Sequence, residues 1–336
     1  MQEQEQLQGA LGEVNRQITH LLKRKMELVR EAGETAAESG RFMPGEIYDR
    51  YLQALKKRRQ PIRAPRVVYQ GEPGAFSEIA AIDFFVKDVE TIGLYQFEDT
   101  FEALKNKEAD YAVLPIENSS TGAIRQVYDL LMQYNCYFVG ETTVKVEQSL
   151  LGLPGTRIAD IKTVYSHEQG LFQCESYLKQ HPDWRTVPQA DTAGSAKMVA
   201  GKKDPSRAAI CASRAAEIYG LAVIEEAINS NRSNTTRFVV VSPYMELRPQ
   251  RDKICISLTT EHESGSLHDI LTIFSVRGIN MVRLESRPIP EHNWEYMFFI
   301  EFSGDLMHAG MDEVIHELSL MAGDMRVLGN FKSNLL

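Results

Sequence analysis

The chain has 336 residues, 43% of them hydrophobic and 25% charged, and its formal net charge is −9 at pH 7. These proportions are typical of a globular protein, and the length predicts two or three domains. The negative charge argues against nucleic acid or an anionic membrane as a partner over a broad surface. A site for an anion therefore has to be a local arrangement of donors.

No segment of the sequence predicts export, membrane insertion or metal binding. Residues 1–6 lack the apolar region of a secretory signal, and no apolar run approaches the roughly 20 residues of a transmembrane helix. The cysteines, which have neither CxxC nor His/Cys spacing, are Cys136, Cys174, Cys211 and Cys255. We therefore expect a cytoplasmic protein with reduced thiols and without a metal or cofactor.

The first 60 residues predict a short helical segment. Apolar residues between Leu7 and Ala32 recur at steps of three and four, the pattern of a helix with a seam for another helix. Lys25 occupies one step of that seam. A second helix is expected from Pro44 to about Arg59, and a linker with two prolines follows at 61–65.

From Arg66 the sequence alternates between predicted strands and helices. This repeat predicts an α/β architecture with mainly parallel sheets. The strands are expected at 67–69, 111–116, 163–165, 186–188 and 208–211. Because the region contains neither a GxGxxG motif nor a P-loop, we expect two small lobes with a cleft between them.

Polar residues follow these strands where the next helices are expected to begin. Such residues are preferred N-caps of helices, which is one interpretation. The other is that several helix N-termini meet at one sheet edge and form a site for a small polyanion. The spacing of Ser166 and Gln169 also predicts a capping box. The polar junctions are Ser77, Ser119-Ser120-Thr121, Ser166, Asp191-Thr192 and Ser213.

The stretch Asn234-Thr235-Thr236-Arg237-Phe238 places two hydroxyls and a guanidinium directly before the apolar run 238–241. That run predicts a buried strand, whose end can present polar side chains to a cleft. The alternative is a turn in which the threonines bond to the backbone.

From Lys253 the sequence predicts the order β-α-β-β-α-β, which is that of a ferredoxin-like sandwich. Such a domain usually has a regulatory or oligomeric role, and this one contains no obvious catalytic group.

Four motifs occur in the order and spacing found in prephenate dehydratases, and elements similar to their C-terminal ACT domain follow. The resemblance implies a two-lobed catalytic domain like periplasmic binding proteins at 66–243, with the active site between the lobes, and an ACT regulatory domain at 251–331. The motifs are Gly71-x-x-Gly74-x-Phe76-Ser77, Glu117-Asn118-Ser119-x-x-Gly122, Ser166-His167-x-Gln169 and Thr236-Arg237-Phe238, followed by Gly265-x-Leu267, Arg277-Gly278-Ile279-Asn280 and Glu285-Ser286-Arg287-Pro288.

The resemblance implies roles for individual residues. Thr236 would assist departure of the substrate's hydroxyl, and Asn118 and Gln169 would take part in catalysis. Arg237 would bind a substrate carboxylate or support the cleft. The remaining expected substrate contacts are Ser77, Ser119 and Ser166.

In the ACT region the resemblance implies a phenylalanine site, with a domain that only dimerises as the alternative. The sequence departs from the family pattern at two positions: Ala75 stands where threonine is usual, and Ser264 where proline is common. The residues expected to bind phenylalanine are Gly265, Leu267, Asn280, Glu285, Ser286 and Arg287.

Residues 1–60 resemble the first helix of the chorismate mutase domain that precedes many enterobacterial-type dehydratases. Lys25 occupies a cation position of that helix, but Gln8 and Ala36 stand where an arginine and a lysine belong. We expect a degenerate remnant that mediates dimerisation, and an active mutase is the alternative.

The resemblance thus implies an allosteric prephenate dehydratase, a lyase that makes phenylpyruvate for phenylalanine biosynthesis and is inhibited by phenylalanine. A homodimer or homotetramer is expected. One alternative is a bifunctional enzyme that retains mutase activity, and another, of a different class, is a non-catalytic small-molecule sensor. The sequence leaves the choice between prephenate and arogenate open.

Overall fold

The computed structural model describes residues 44–86, 89–260, 263–289 and 295–334, and in the first 30 residues only helical positions 13–14, 17, 20–21, 24 and 28. The chain divides into two compact units. The terminal unit comprises Met1–Gln60 and Tyr244–Ser333, and the central unit comprises Pro61–Pro243 and Asn334–Leu336. No helix in the described ranges is long and apolar enough to cross a membrane.

In the terminal unit, helix α1 (Pro44–Lys56) precedes the linker. The central unit then consists of two α/β lobes. The large lobe contains β1 (Arg66–Gln70), α2 (Phe76–Phe85), β2 (Glu90–Leu94), α3 (Phe97–Lys105), β3 (Tyr111–Asn118), β4 (Gly122–Ala123), α4 (Arg125–Gln133), β5 (Tyr137–Lys145) and, late in the chain, β11 (Thr235–Ser242). The small lobe contains β6 (Ser149–Gly152), β7 (Thr163–His167), α5 (Glu168–Gln173), α6 (Glu175–Leu178), β8 (Arg185–Gln189), α7 (Thr192–Lys202), β9 (Arg207–Cys211), α8 (Arg214–Tyr219) and β10 (Ala222–Glu225).

Each lobe is built on one mixed sheet. The large sheet has the order β2-β1-β3-β11-β5, with β4 paired to β3, and the small sheet has the order β10-β6-β9-β7-β8. Strand β11 runs antiparallel to both of its neighbours, and its apolar residues are almost completely buried. The predicted two-lobed α/β domain is confirmed. The prediction of mainly parallel sheets is wrong, because five of the nine strand pairings described in the two sheets are antiparallel.

The chain crosses between the lobes twice, after β5 and before β11. The two crossings are hydrogen bonded to each other, from the Val146 amide to the Asn234 carbonyl at 2.8 Å and from the Ile228 amide to the Gln148 carbonyl at 2.9 Å. The returning segment ends at Asn234, and β11 starts at the next residue. The polar stretch singled out in the sequence therefore lies where the lobes join.

The terminal unit contains a four-stranded antiparallel sheet of order β13-β14-β12-β15 and two helices between its strands. This is the predicted ferredoxin-like sandwich, and it is confirmed. Its elements are β12 (Lys253–Thr259), α9 (Ser266–Val276), β13 (Met281–Pro288), β14 (Tyr296–Ser303), α10 (Met311–Met321) and β15 (Met325–Phe331).

Helix α1 packs against α10 and β15 of this sandwich. Ile47 and Tyr51 are buried, the Tyr48 hydroxyl donates to Asp312 at 2.5 Å, and Arg50 forms an ion pair with Asp324. The second helix predicted near the N-terminus thus belongs to the same compact unit as the C-terminal sheet.

The predicted seam of the first helix lies mostly outside the described residues, as do Lys25, Gln8 and Ala36. The seam positions that are described are Val14, Leu21 and Leu28, and their exposed fractions are 48%, 67% and 49%.

Candidate active site

A cavity of about 400 Å³ lies between the two lobes of the central unit. The large lobe contributes the ends of β3 and β11 and the start of α2, and the small lobe contributes the starts of α5 and α7. Polar residues that line it are Gln70, Ser77, Asn118, Thr121, Gln148, His167, Gln169, Gln173, Asp191, Thr192 and Thr236. The predicted catalytic residues Thr236, Asn118 and Gln169 are therefore brought together in one cleft.

Asn118 and Thr236 are opposite residues on the paired strands β3 and β11. The Asn118 Nδ2 group donates to the Thr236 Oγ1 atom at 2.9 Å, while its Oδ1 atom accepts from the Ser120 amide at 2.9 Å. A backbone amide can only donate, so it fixes which end of the Asn118 side chain is oxygen. The Thr236 oxygen is therefore an acceptor inside the protein, and its own proton is available to the cleft.

Asn234 completes this arrangement and was missed as a site residue in the sequence. Its Oδ1 atom accepts from Asn118 Nδ2 at 2.8 Å and from the Ser120 hydroxyl at 3.2 Å. The side chain is 1% exposed, so these bonds form away from water and hold the Asn118 amide in one orientation. The signal in the sequence was its position, two residues before Thr236.

Gln169 reaches the cleft from the small lobe. Its Nε2 group donates to the Thr121 Oγ1 atom of the large lobe at 3.0 Å. The predicted capping box is wrong, because His167 is the N-cap of α5 and its Nδ1 atom accepts from the Gln169 amide. An Nδ1 atom that accepts leaves the imidazole proton on Nε2.

Ser166 does not contact the cleft. It is fully buried, and its hydroxyl donates to the Ile210 carbonyl at 2.7 Å, which ties β7 to β9. Its predicted role as a substrate contact is not supported, because a side chain used inside the small lobe cannot reach a ligand between the lobes.

Arg237 and Ser119 also lie away from the cleft. Side chains alternate along a strand, so Arg237 points to the opposite face of the sheet from Thr236. It is 4% exposed and faces Glu141 at 3.4 Å and Glu117 at 3.9 Å. The Ser119 hydroxyl accepts from the Thr235 amide at 3.0 Å. This placement gives both residues a supporting position beside the paired strands β3 and β11 and does not support direct contact with substrate.

Ser77 lines the cleft, but not as a helix cap. Helix α2 begins at Phe76, and its N-cap is Ala75, which has no side-chain cap. Ser77 is therefore a first-turn residue, 7% exposed. The first turn of a helix carries backbone N–H groups without helical partners, so this corner of the cleft offers amides as well as a hydroxyl.

The predicted series of polar helix starts is only partly present. Asp191 caps α7, and its Oδ1 atom accepts from the Gly194 amide at 2.6 Å. Ser213 makes no side-chain cap bond. The stretch 119–121 forms a turn between β3 and β4, and α4 begins later, after Ile124.

The loop before α2 packs directly against the small lobe. Gly74 has a φ of +92°, and a Cβ atom there would lie 2.9 Å from the backbone of Ala215 in the small lobe. Cross-lobe ion pairs flank it, from Arg214 to Glu78 at 3.1 Å and from Lys197 to Glu72 at 2.9 Å. Only glycine fits this contact.

The charge of the cleft is unusual for an anion site. Among the described residues that line it, none is Lys or Arg, and the one carboxylate is Asp191. An anionic ligand would therefore be held by hydroxyls, side-chain amides, His167 and backbone N–H groups rather than by a cation.

The family model for prephenate dehydratase matches residues 67–246, which is more than half of the chain. The chain belongs to the prephenate dehydratase family. It is 35% identical over 273 residues to the bifunctional chorismate mutase/prephenate dehydratase of Escherichia coli strain K12, covering 80% of this chain and 71% of that one. It is 37% identical over 288 residues to arogenate dehydratase 3 of Arabidopsis thaliana, and the match covers 80% of this chain and 68% of that one.

A solved prephenate dehydratase is similar in structure. The enzyme of Arthrobacter aurescens, in complex with L-Phe, is 30% identical with a TM-score of 0.72, and the match covers 80% of this chain and 90% of that one. The family predicted from the four sequence motifs is confirmed. The roles of single residues stay predictions. The geometry of the cleft shows where these residues lie, and the proposals below are argued from it.

In the terminal unit, a cavity of about 510 Å³ lies beside the loop before α9. Of the six residues expected to bind phenylalanine, Gly265 and Leu267 line it. Glu285, Ser286 and Arg287 lie on β13, and Asn280 directly precedes that strand. The structure therefore separates the predicted set into a loop pair and a strand group, which do not share this cavity.

Proposed function

We propose that this prephenate dehydratase converts prephenate to phenylpyruvate in the cleft between the lobes of the central unit, with Thr236 as the donor to the departing hydroxyl. The observation that carries the proposal is the hydrogen bond from Asn118 Nδ2 to Thr236 Oγ1 at 2.9 Å. It occupies the Thr236 oxygen as an acceptor and leaves its proton for the substrate.

The reaction needs that proton where negative charge develops. The ring C–O bond breaks and its electron pair leaves on the oxygen, while the C–C bond to the ring carboxylate breaks and its pair enters the ring as carbon dioxide departs. A positioned donor at the leaving oxygen stabilises the charge in the transition state. The pKa of an aliphatic alcohol is far above 7, so Thr236 acts by orientation rather than as a free acid.

The absence of Lys and Arg among the described lining residues suits decarboxylation. A tight ion pair to the ring carboxylate would stabilise the ground state and oppose its conversion to neutral carbon dioxide. Neutral donors can still fix the remaining carboxylate, and Ser77, the first turn of α2 and the Gln169 amide are the candidates placed for this. Arg237 has a supporting role behind β11.

The test of this function is turnover of prephenate by the full chain, followed as phenylpyruvate. We expect catalysis without an added metal or cofactor. Saturable binding of prephenate without phenylpyruvate would contradict the proposal and favour the small-molecule sensor.

We propose that phenylalanine inhibits this reaction through the terminal unit. Support comes from the ferredoxin-like fold, from the cavity bounded by Gly265 and Leu267, and from the L-Phe bound to the Arthrobacter aurescens relative. Phenylalanine added to the assay should lower the rate, and Leu267→Ala should raise the concentration needed for half inhibition.

We also propose that residues 1–60 are a degenerate mutase remnant that mediates self-association into a homodimer or homotetramer, and that the protein is cytoplasmic. The exposed apolar positions Val14, Leu21 and Leu28 recur every seven residues and support a helix–helix contact. The alternative, an active mutase, predicts consumption of chorismate by the full chain. Removal of residues 1–43 should lower the oligomeric state in sedimentation without reducing dehydration.

A further inference from the structure

The hydroxyl of Thr121 lies at the meeting point of the two lobes. It belongs to the turn between β3 and β4 in the large lobe, and it accepts a hydrogen bond from Gln169 Nε2 of the small lobe at 3.0 Å. The same hydroxyl lies 3.4 Å from Asn118 Oδ1, to which it donates. One side chain thus connects the opposite wall of the cleft to the amide that orients Thr236.

The donor and the acceptor can be assigned for each hydrogen bond in this series. A side-chain N–H of Gln169 can only donate, so Thr121 Oγ1 accepts there and its own proton points to Asn118 Oδ1. The other end of the Asn118 amide donates to Thr236 Oγ1 at 2.9 Å. The series therefore runs from Gln169 through Thr121 and Asn118 to Thr236, and it ends with the Thr236 proton directed to the cleft.

We propose that Thr121 is a positioning residue that couples closure of the two lobes to the orientation of the Thr236 hydroxyl. When the lobes close, Gln169 occupies the Thr121 oxygen and turns the Thr121 proton to Asn118. That contact adds a further restraint on the Asn118 amide, beside the bonds to Ser120 and Asn234 that hold it in either state of the lobes. When the lobes open, Thr121 loses its partner in the small lobe and this restraint relaxes.

Two ion pairs between the lobes, Lys197–Glu72 and Arg214–Glu78, do not supply this coupling. They hold the loop before α2 and the first turns of that helix, and no bond from these four residues to Asn118 or Thr236 is found in the described part of the chain. The 3.4 Å separation of Thr121 and Asn118 is long for an O–H···O bond, and catalytic hydrogen bonds often tighten only when the ligand is bound. Substrate binding between the closed lobes is thus the step in which this bond would shorten.

The inference rests on the dehydratase activity proposed above, and its test compares variants with a wild type whose turnover tests that activity separately. Thr121→Val keeps the shape of the side chain and removes the hydroxyl, and Thr121→Ser keeps the hydroxyl. We expect the valine variant to lower kcat by roughly tenfold or more with KM within about threefold, and the serine variant to stay near wild type. Thr121 is exposed, so both should keep the wild-type melting temperature.

A double-mutant cycle then separates coupling from a local effect. In a Gln169→Leu background, Thr121→Val should change kcat by less than about twofold, because the series is already broken at its first bond. An equal effect of Thr121→Val in both backgrounds would overturn the proposal. So would a serine variant as impaired as the valine variant, or a valine variant with the kcat of wild type.

Discussion

At the residue scale, the Asn118 side chain is the group that sets the direction of the Thr236 hydroxyl. Its amide donates to Thr236 and Asn234 and accepts from the Ser120 amide. The Ser120 amide can only donate, so it fixes which end of the Asn118 side chain is oxygen, and Thr236 and Asn234 then accept from the other end. A donor fixed before the substrate arrives does not have to be reorganised during the reaction, which is the basis of electrostatic preorganisation.

The substitution Asn118→Asp tests this orientation with almost no change of shape. A carboxylate oxygen facing Thr236 would accept the Thr236 proton and turn it away from the cleft, so we expect kcat to fall by roughly 100-fold or more. The matched control is Asn234→Asp, which adds the same charge at a buried neighbouring site but keeps the acceptor that Asn118 uses. Steady-state kinetics should show the larger loss for Asn118→Asp; equal losses would contradict the account.

Asp191 gives a second prediction at this scale. Its carboxylate lines the cleft and caps α7, and it repels a dianionic substrate. Asp191→Asn keeps a good N-cap and removes the charge, so KM for prephenate should fall by roughly twofold to tenfold. Glu72→Gln is the control, because Lys197 already pairs with Glu72. A higher KM in Asp191→Asn would instead indicate that this carboxylate binds a cation on the substrate, as the ammonium group of arogenate would provide.

At the element scale, the contact between the loop before α2 and helix α8 sets how closely the lobes approach. Gly74→Ala introduces a Cβ atom against Ala215 at a positive φ, whereas Gly155→Ala has a similar φ of +85° and nothing within 4 Å. Both should lose about 1 kcal/mol from backbone strain. The Gly74 variant should lose roughly 1–3 kcal/mol more from crowding, as measured by urea unfolding; equal losses would show that the lobes do not meet there.

The sequence predicted elements well where apolar periodicity was strong, and less well where a polar residue had two possible partners. The strands around β3 and β11 and the order of the C-terminal sandwich follow from hydrophobic runs. The roles of Ser166 and Ser77 did not follow, because the choice between a cap and another position depends on tertiary neighbours such as Ile210. Spacing along the chain carries no information about those neighbours.

The sequence predicted which residues lie in the site, but it did not predict how their side chains are arranged. Thr236, Asn118 and Gln169 came from motifs, and they do lie in one cleft. Of the two roles expected for Arg237, the supporting role fits its placement; the sequence could not choose between them because it does not tell which face of β11 meets the other lobe. Asn234 and Thr121 were named only as members of polar stretches and were given no role of their own, because their importance comes from bonds to residues on other elements, at 2.8 and 3.0 Å.

At the scale of the whole molecule, the cysteines report on the integrity of both units. All four are buried and none forms a disulfide. Cys255 lies in the terminal unit, and the other three lie in the central unit. Burial raises the pKa of the Cys174 thiol to about 12 and also raises that of Cys211. Because the thiolate is the reactive form, we expect almost no reaction with a thiol reagent near neutral pH in the native protein.

In denaturant all four thiols should react, which provides the internal control for the same sample. Rapid modification of one thiol in the native protein would contradict the packing described for the unit that contains it.

The whole molecule combines a two-lobed catalytic unit with a terminal unit in which α1 and the C-terminal sandwich pack together. The net charge is −9, and the described lining of the cleft contains no Lys or Arg. The local geometry of the donors, and not the overall field, therefore has to hold an anionic substrate. The central claim therefore concerns one hydroxyl in that cleft.

The most direct measurement is phenylpyruvate formation from prephenate by Thr236→Val, with Thr236→Ser as the matched control. Valine keeps the shape of threonine and removes the donor, so kcat should fall by roughly 100- to 1000-fold. Serine keeps the donor and should retain most of the activity. Turnover of Thr236→Val at the wild-type rate would contradict the account.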